Sequence, residues 1–296
     1  MSILERQNSP ANLQLLAAQR HLYAQAKKLQ HWRMIGTVGI AAIAPLALLL
    51  VPSSKPFMAV IGGLWLLVSR LVFEGLETKK VKQAANVQEQ FDVTLFDIPW
   101  NRILVGDKLT PELVSAAHRA FSGDRDMLKN WYPDTGNLPY PLDVLLCQRS
   151  SLVMDWRLRR HYAVGISVLT VLLFSAGVVL AVVTNQSLLD YVLALLLPSL
   201  AALLRGVEVA KKHFEVAAEK EKTEKEVSNL WESGLRDPGS VSKEQCRHVQ
   251  DCIYVFRSRG PLVPDQWYTW LRERYEIDME SAAAEMKSRA EQMLEL

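Results

Sequence analysis

The chain has 296 residues, 49% of them hydrophobic and 22% charged, and its formal net charge is only +2. So small a net charge excludes the strong positive field of a protein built to hold a nucleic acid polymer. Three cysteines (Cys147, Cys246 and Cys252) are an odd number without framework spacing, so a disulfide scaffold is excluded as well. Cys246 and Cys252 flank His248, but a fourth ligand is missing nearby, and no metal site is assigned. The distinguishing feature is segregation: apolar residues come in long uncharged blocks, with the charges between them.

In chain order, Ser9-Pro10 is a helix start, a capping hydroxyl followed by Pro at the first helical position. Leu15, Leu16, Leu22, Tyr23, Ala26 and Leu29 follow near helical spacing. Lys27, Lys28 and Arg33 then lead into the uncharged run Met34–Val51, about 27 Å as a helix, barely a hydrocarbon core. No cleavable signal peptide is expected, because a polar, helix-prone segment precedes this run. Pro52-Ser53-Ser54-Lys55-Pro56 is a tight turn, and Phe57–Phe73 is a second span. A helical pattern continues to a stop near Leu95, before Pro99. Residues 97–141 are irregular and rich in proline, with one helix that Thr110 caps, Pro111 opens and Ser122-Gly123 ends.

From about Pro141 one helix passes straight into a third span, Tyr162–Val183. Arg157, Arg159 and Arg160 stand at its entrance, and no charge follows before the turn Thr184–Ser187. Leu188–Leu204 is a fourth span that continues as a helix to Gly234. The apolar seam of that extension is traced through Val207, Ala210, Phe214 and Ala217 and meets Glu221 and Glu224, too broken for a strong coiled coil. Ser242 and Gln245 have capping-box spacing and start a helix that ends at Gly260. After Pro261 and Pro264, Asp265 caps another helix, and a last amphipathic helix follows.

Lys and Arg are abundant before span one, between spans two and three, and after span four. The two short turns carry a single Lys between them. The positive-inside rule therefore puts both termini and the middle segment in the cytosol. The expected fold class is all-α: an integral membrane protein with four transmembrane helices in two hairpins plus cytosolic helical segments. The expected organisation is a cytosolic N-terminal helix (1–33), hairpin one (34–73), a helical and irregular cytosolic segment (74–161), hairpin two (162–204) and a cytosolic helical region (205–296). His31-Trp32 before one hairpin and His161-Tyr162 before the other leave open a weak internal repeat or merely the usual belt residues.

No ionisable residue lies mid-span, which counts against a proton relay or an ion-coupled transporter. No P-loop, GxSxG or HExxH is present, so no catalytic residue and no cofactor is assigned. The irregular segment and the helix after it gather Trp100, Asn101, Arg102, Trp131, Tyr132, Gln148 and Arg149. Aromatic faces, amides and guanidinium forks suit a ligand with planar bases and phosphates. The same tryptophans also suit an interfacial belt or a small core. Arg149 has only leucines and a valine as helical neighbours (Leu145, Leu146, Leu152 and Val153), so it needs an external partner. That partner is either a carboxylate such as Asp134 or Asp97, or a ligand phosphate.

Five stretches then carry a family resemblance: NLQLLAAQRHLYAQAKK at the N-terminus, FDVTLFDIPWN (91–101), NWYPD (130–134), CQRSSLVMDWRLRRHY (147–162) and QDCIYVFRSRGPLVPDQWY (250–268). In this order around four spans, the chain resembles the SMODS-associated four-transmembrane effectors of bacterial anti-phage cyclic-oligonucleotide signalling (CBASS). The one departure noted is Ser150 after Cys-Gln-Arg, in place of an expected Asn. The resemblance implies an inner-membrane effector that binds a cyclic oligonucleotide on its cytosolic side. As a homo-oligomer it would compromise the lipid bilayer, so that the infected cell stops growing or dies. The rivals are a ligand-independent channel or scaffold and a membrane-bound enzyme.

Overall fold

The computed structural model describes residues 2–50, 55–192 and 196–295. Every regular element among them is helical, as the composition and spacing lead one to expect. In order they are α1 (Ile3–Gln7), α2 (Pro10–Leu50), α3 (Lys55–Val68), a π-helical stretch (Ser69–Phe73) and α4 (Glu74–Phe96). Then come α5 (Arg102–Val105), α6 (Pro111–Arg119), α7 (Leu142–Val183), α8 (Leu188–Tyr191), α9 (Leu197–Arg236), α10 (Lys243–Arg259) and α11 (Asp265–Met293).

Local chemistry accounts for many of the boundaries. Ser2 and Glu5 form a capping box on α1, and Ser242 and Gln245 form one on α10. Pro10 opens α2 and Pro111 opens α6, where a missing N–H costs nothing. α6 ends at Arg119, earlier than Ser122-Gly123. α9 runs past Gly234 to Arg236. The two helices expected after Pro264 are a single one, α11. The turn residues Pro52, Ser53 and Ser54, the last residue of the expected first span (Val51), and residues 193–195 of the expected fourth span lie outside the described residues.

The chain packs as two units. The first comprises Met1–Gln25, Lys79–Arg159 and Val216–Leu296; the second comprises Ala26–Thr78 and Arg160–Glu215. Thus three stretches distant in sequence share one core in the first unit, around Leu16, Phe91, Leu95, Leu145, Leu152 and Trp231. Burying large side chains of this kind stabilises by about 1.5–3 kcal/mol each.

The second unit contains two antiparallel helix pairs. In one, Arg33 of α2 bridges Glu77 of α4 at 2.9 Å, and the Trp65 indole of α3 lies against Gly36 and donates to the Thr37 hydroxyl at 3.1 Å. A Cβ at position 36 would run into that indole. In the other, Tyr162 of α7 meets His213 of α9 edge to face at 4.7 Å, and Gly206 lets α9 close on Thr170. Among the described residues one helix, α7, is long and apolar enough to cross a membrane by itself, and almost none of its apolar stretch is buried.

Candidate functional site

The first unit encloses an ionic network. α4 contributes Glu89 and Asp92, both with no exposure at all. Three residues apart, the two carboxylates share one helix face. α10 answers with Arg247, Gln250 and Arg257, again on one face. Arg247 bridges Glu89 at 2.6 Å, and Arg257 pairs with Asp92. The Gln250 amide lies between the carboxylates and donates to Glu89 at 2.9 Å and to Asp92 at 2.8 Å. The Tyr132 hydroxyl donates to Asp92 at 2.7 Å, and Arg257 also reaches the Ser151 hydroxyl at 3.1 Å.

A second cluster occupies facing turns of α7 and α9. Asp155 accepts from Arg159 at 2.8 Å and also pairs with Lys220, whose side chain is 5% exposed. Arg159 further donates to the Pro261 carbonyl at 2.6 Å. Burial alone would raise the Asp155 carboxyl, but Arg159 and Lys220 outweigh it and hold the group well below the usual carboxylate range. For Glu89 the balance is reversed: burial wins over Arg247 and pushes the carboxyl up. Burial also raises the Tyr23 hydroxyl of α2, a shift partly offset by Arg257.

The α7–α9 contacts correct the seam traced from sequence. Between residues 210 and 231 the buried positions of α9 are Ala210, His213, Ala217, Lys220, Val227 and Trp231, with Glu224 completing a three–four alternation. Val207 and Phe214 are exposed instead. The seam continues past Ala217 because polar residues on α7 meet those on α9: Asp155 faces Lys220, and Arg149 faces Glu224 at 2.8 Å. Arg149 also donates to the Ser228 hydroxyl at 3.1 Å. Its carboxylate partner is therefore Glu224 rather than Asp134 or Asp97, which pair with Lys287 and Lys243.

The other residues singled out in sequence lie in three places. Tyr132 and Gln148 are buried in the network. Gln148 donates to the Cys246 carbonyl at 2.9 Å and to Gln250 at 3.2 Å, and its Oε1 is buried without a donor among the described residues. Trp100, Asn101 and Arg102 lie on the segment that enters α5. The Trp100 indole donates to the Gly106 carbonyl at 2.9 Å, with the Lys108 ammonium 5.2 Å from its ring. Asn101 caps α5 and donates to Asp251 at 3.0 Å, and Arg102, 78% exposed, bridges Asp107. Trp131 carries the Arg20 guanidinium over its ring at 5.2 Å. Cys147, Cys246 and Cys252 are free thiols.

Glu89, Asp92, Arg247, Gln250, Arg257, Asp155 and Lys220 were not among the sequence candidates. A signal existed: Asp92, Tyr132, Gln148, Ser151, Asp155, Arg159, Gln250 and Arg257 all lie in the stretches that carry the family resemblance. These stretches meet in the network.

Fold and network together define an all-helical protein with a charged interior in one unit and a bilayer-length apolar helix exposed in the other. Residues 1–286 match the family described as the SMODS-associating 4TM effector domain, and the chain belongs to that family. It is also 31% identical over 288 residues, 92% of its own length and 93% of the relative's, to a Bacillus cereus (strain VD146) protein named "probable CBASS effector molecule". No solved structure matches it.

Proposed function

We propose that the chain is an effector of anti-phage defence in the bacterial inner membrane, gated by a cyclic oligonucleotide. The observation that carries this reading is family membership along residues 1–286, and the name of the Bacillus relative supports it. The chain crosses the bilayer four times, with both termini in the cytosol, through α2, α3 with the π-helical stretch, α7 and α8–α9. Several copies assemble to breach the membrane, because four spans can scarcely enclose a wide aqueous path. No catalysis is assigned.

The messenger binds the first unit. Trp100, Arg102 and Trp131 contact it from accessible positions, and Asn101, Tyr132 and Gln148 shape the site behind them. Arg149 is the coupling residue. A ligand phosphate competes for its guanidinium, and Glu224 on α9, 12% exposed, is left without its cation. A buried carboxylate stripped of its partner costs several kcal/mol, so α9 must shift, and α9 continues into the second unit.

The test uses purified protein with a panel of cyclic di- and trinucleotides, read by thermal shift in detergent and by leakage of a dye from liposomes. One nucleotide should stabilise the protein and start leakage. Folded Arg149→Ala should bind that nucleotide more weakly by roughly 1.5–3 kcal/mol, about tenfold to more than a hundredfold. Leakage that needs no nucleotide, with no shift from any member of the panel, would favour the constitutive channel. Turnover of an added nucleotide or lipid would favour the enzyme.

A further inference from the structure

The first half of α11 carries an apolar stripe that the first unit leaves uncovered. Trp270 is 74% exposed and Ile277 is 58% exposed. They are two turns apart on one helix face, and Trp267, three residues before Trp270, packs edge-on against it at 5.7 Å. Lone surface apolar residues need no explanation, but an exposed tryptophan and isoleucine aligned with a second tryptophan do.

Two contacts locate this stripe. Arg159 of α7 donates to the Pro261 carbonyl at 2.6 Å, just ahead of α11, and Arg157 of α7 bridges Asp278 at 3.5 Å, just past Ile277. The segment from Pro261 to Asp278 is therefore tied at both ends to one turn of α7. That turn is the last charged one before the uncharged run 163–183. At ~1.5 Å per residue, Arg159 stands about 6 Å along α7 from the first residue of that run. On a helix that enters hydrocarbon at residue 163, the α7 turn that holds both ends of the segment lies in the headgroup layer.

We infer that Trp267, Trp270 and Ile277 of α11 anchor the first unit in the cytosolic headgroup layer of the bilayer that α7 crosses. Tryptophan suits this boundary because its ring is apolar and its N–H finds polar partners there. Net positive charge does not supply the attraction. Counting Arg157, Arg159 and Arg160 of the adjoining α7 turn with Arg259, Arg272 and Arg274 gives six arginines, matched by Asp155, Asp265, Glu273, Glu276, Asp278 and Glu280. The anchor therefore works through apolar area and is indifferent to anionic lipid. An anchored α11 also gives α7 and α9 a fixed reference against which to move.

The inference rests on α7 crossing the bilayer, so the experiment checks integration first. Full-length protein carrying Cys252→Ser and Trp270→Cys is spin-labelled at position 270 and reconstituted in vesicles, and Lys225→Cys, at a charged exposed site, is the aqueous control. The two remaining cysteines, Cys147 and Cys246, are buried. Protein that alkaline carbonate strips from the vesicles sinks the membrane reading itself. In integrated protein, the label at 270 should favour oxygen over a water-soluble nickel relaxant, at a depth of about 5–10 Å, in phosphatidylcholine alone and with added anionic lipid. Ile277→Cys, which leaves both tryptophans in place, should report the same boundary. Nickel accessibility equal to the control at both positions overturns the anchor. So does exclusion of both oxygen and nickel together with spin–spin broadening between copies, which would make the occupant a second chain, and so does insertion only with anionic lipid.

Discussion

In the first unit Glu89 and Asp92 have no exposure and Lys220 has 4%, whereas in the second unit Leu172 and Val182 are 60% and 70% exposed. One unit hides charge and the other displays hydrocarbon. Neither choice suits water alone. The buried charges are tolerable because each has a partner: two carboxylates of α4 against two guanidiniums of α10, and Asp155 against Arg159 and Lys220. The exposed apolar side chains are tolerable only where the surrounding medium is itself apolar. The contrast teaches that the two units are built for different solvents, and that a change in one must reach the other through helices that belong to both, α2, α4, α7 and α9.

The most damaging way to break this contrast is to strand one buried charge. Asp92→Ala leaves Arg257 buried without its carboxylate and removes the acceptor of the Tyr132 hydroxyl. The expected loss is about 3–5 kcal/mol, read as a large fall in the unfolding temperature of detergent-solubilised protein. A wild-type transition in this variant would show that the network is solvated.

The converse change puts a charge among the displayed hydrocarbon. Leu172→Arg places a guanidinium near the middle of the uncharged stretch of α7. At the centre of a span this should cost about 2.5–3.5 kcal/mol of insertion, seen as a lower membrane-integrated fraction at equal synthesis. Leu172→Ile should insert normally. Normal insertion of both would mean that position 172 faces water or protein rather than lipid.

The same contrast explains what the sequence made legible. The long apolar helix and its charged start were visible because apolar length and an arginine cluster at its foot are local signals, and α7 runs Leu142–Val183 as expected. The capping box at Ser242 and Gln245 is local too. The α9 seam was mistraced because His213, Lys220 and Glu224 occupy its inward positions, and apolar periodicity cannot register a charge that becomes buried by pairing. Arg149 was recognised as needing a partner, but Glu224 lies far along the chain, and only the antiparallel register of α7 and α9 reveals it. The network was hidden for the same reason: its charged members come from α4 and α10, and each alone resembles a solvated surface residue.

Lys220 sharpens the comparison most finely, because its ammonium is buried as well as paired. It faces Asp155 and Arg159 on α7 and lies 5.3 Å from the Phe256 ring on α10, and Arg257 adds a second like charge to the surroundings. Burial is the largest influence, and it lowers the ammonium to about 8 from 10.5 even though Asp155 pulls the other way. Between those two values the folded protein has shed a proton that the unfolded chain still holds. Unfolding then takes up a proton, so the contribution of Lys220 to stability rises with pH across the window. Asp155 does not cancel this, because its carboxyl, held low by Arg159 and Lys220, stays ionised throughout; its own contribution is lost only as the solution becomes strongly acidic. Lys220→Met keeps the length of the side chain, leaves Asp155 paired with Arg159 and removes the titration. Unfolding temperatures of wild type and Lys220→Met are compared from pH 8 to pH 10.5, which cancels the tyrosines and other lysines common to both. The wild type should gain on the variant as pH rises. A constant difference, or a wild type that loses ground, would mean that Asp155 rather than burial sets the ammonium, and that this turn of the α7–α9 seam is an ordinary ion pair.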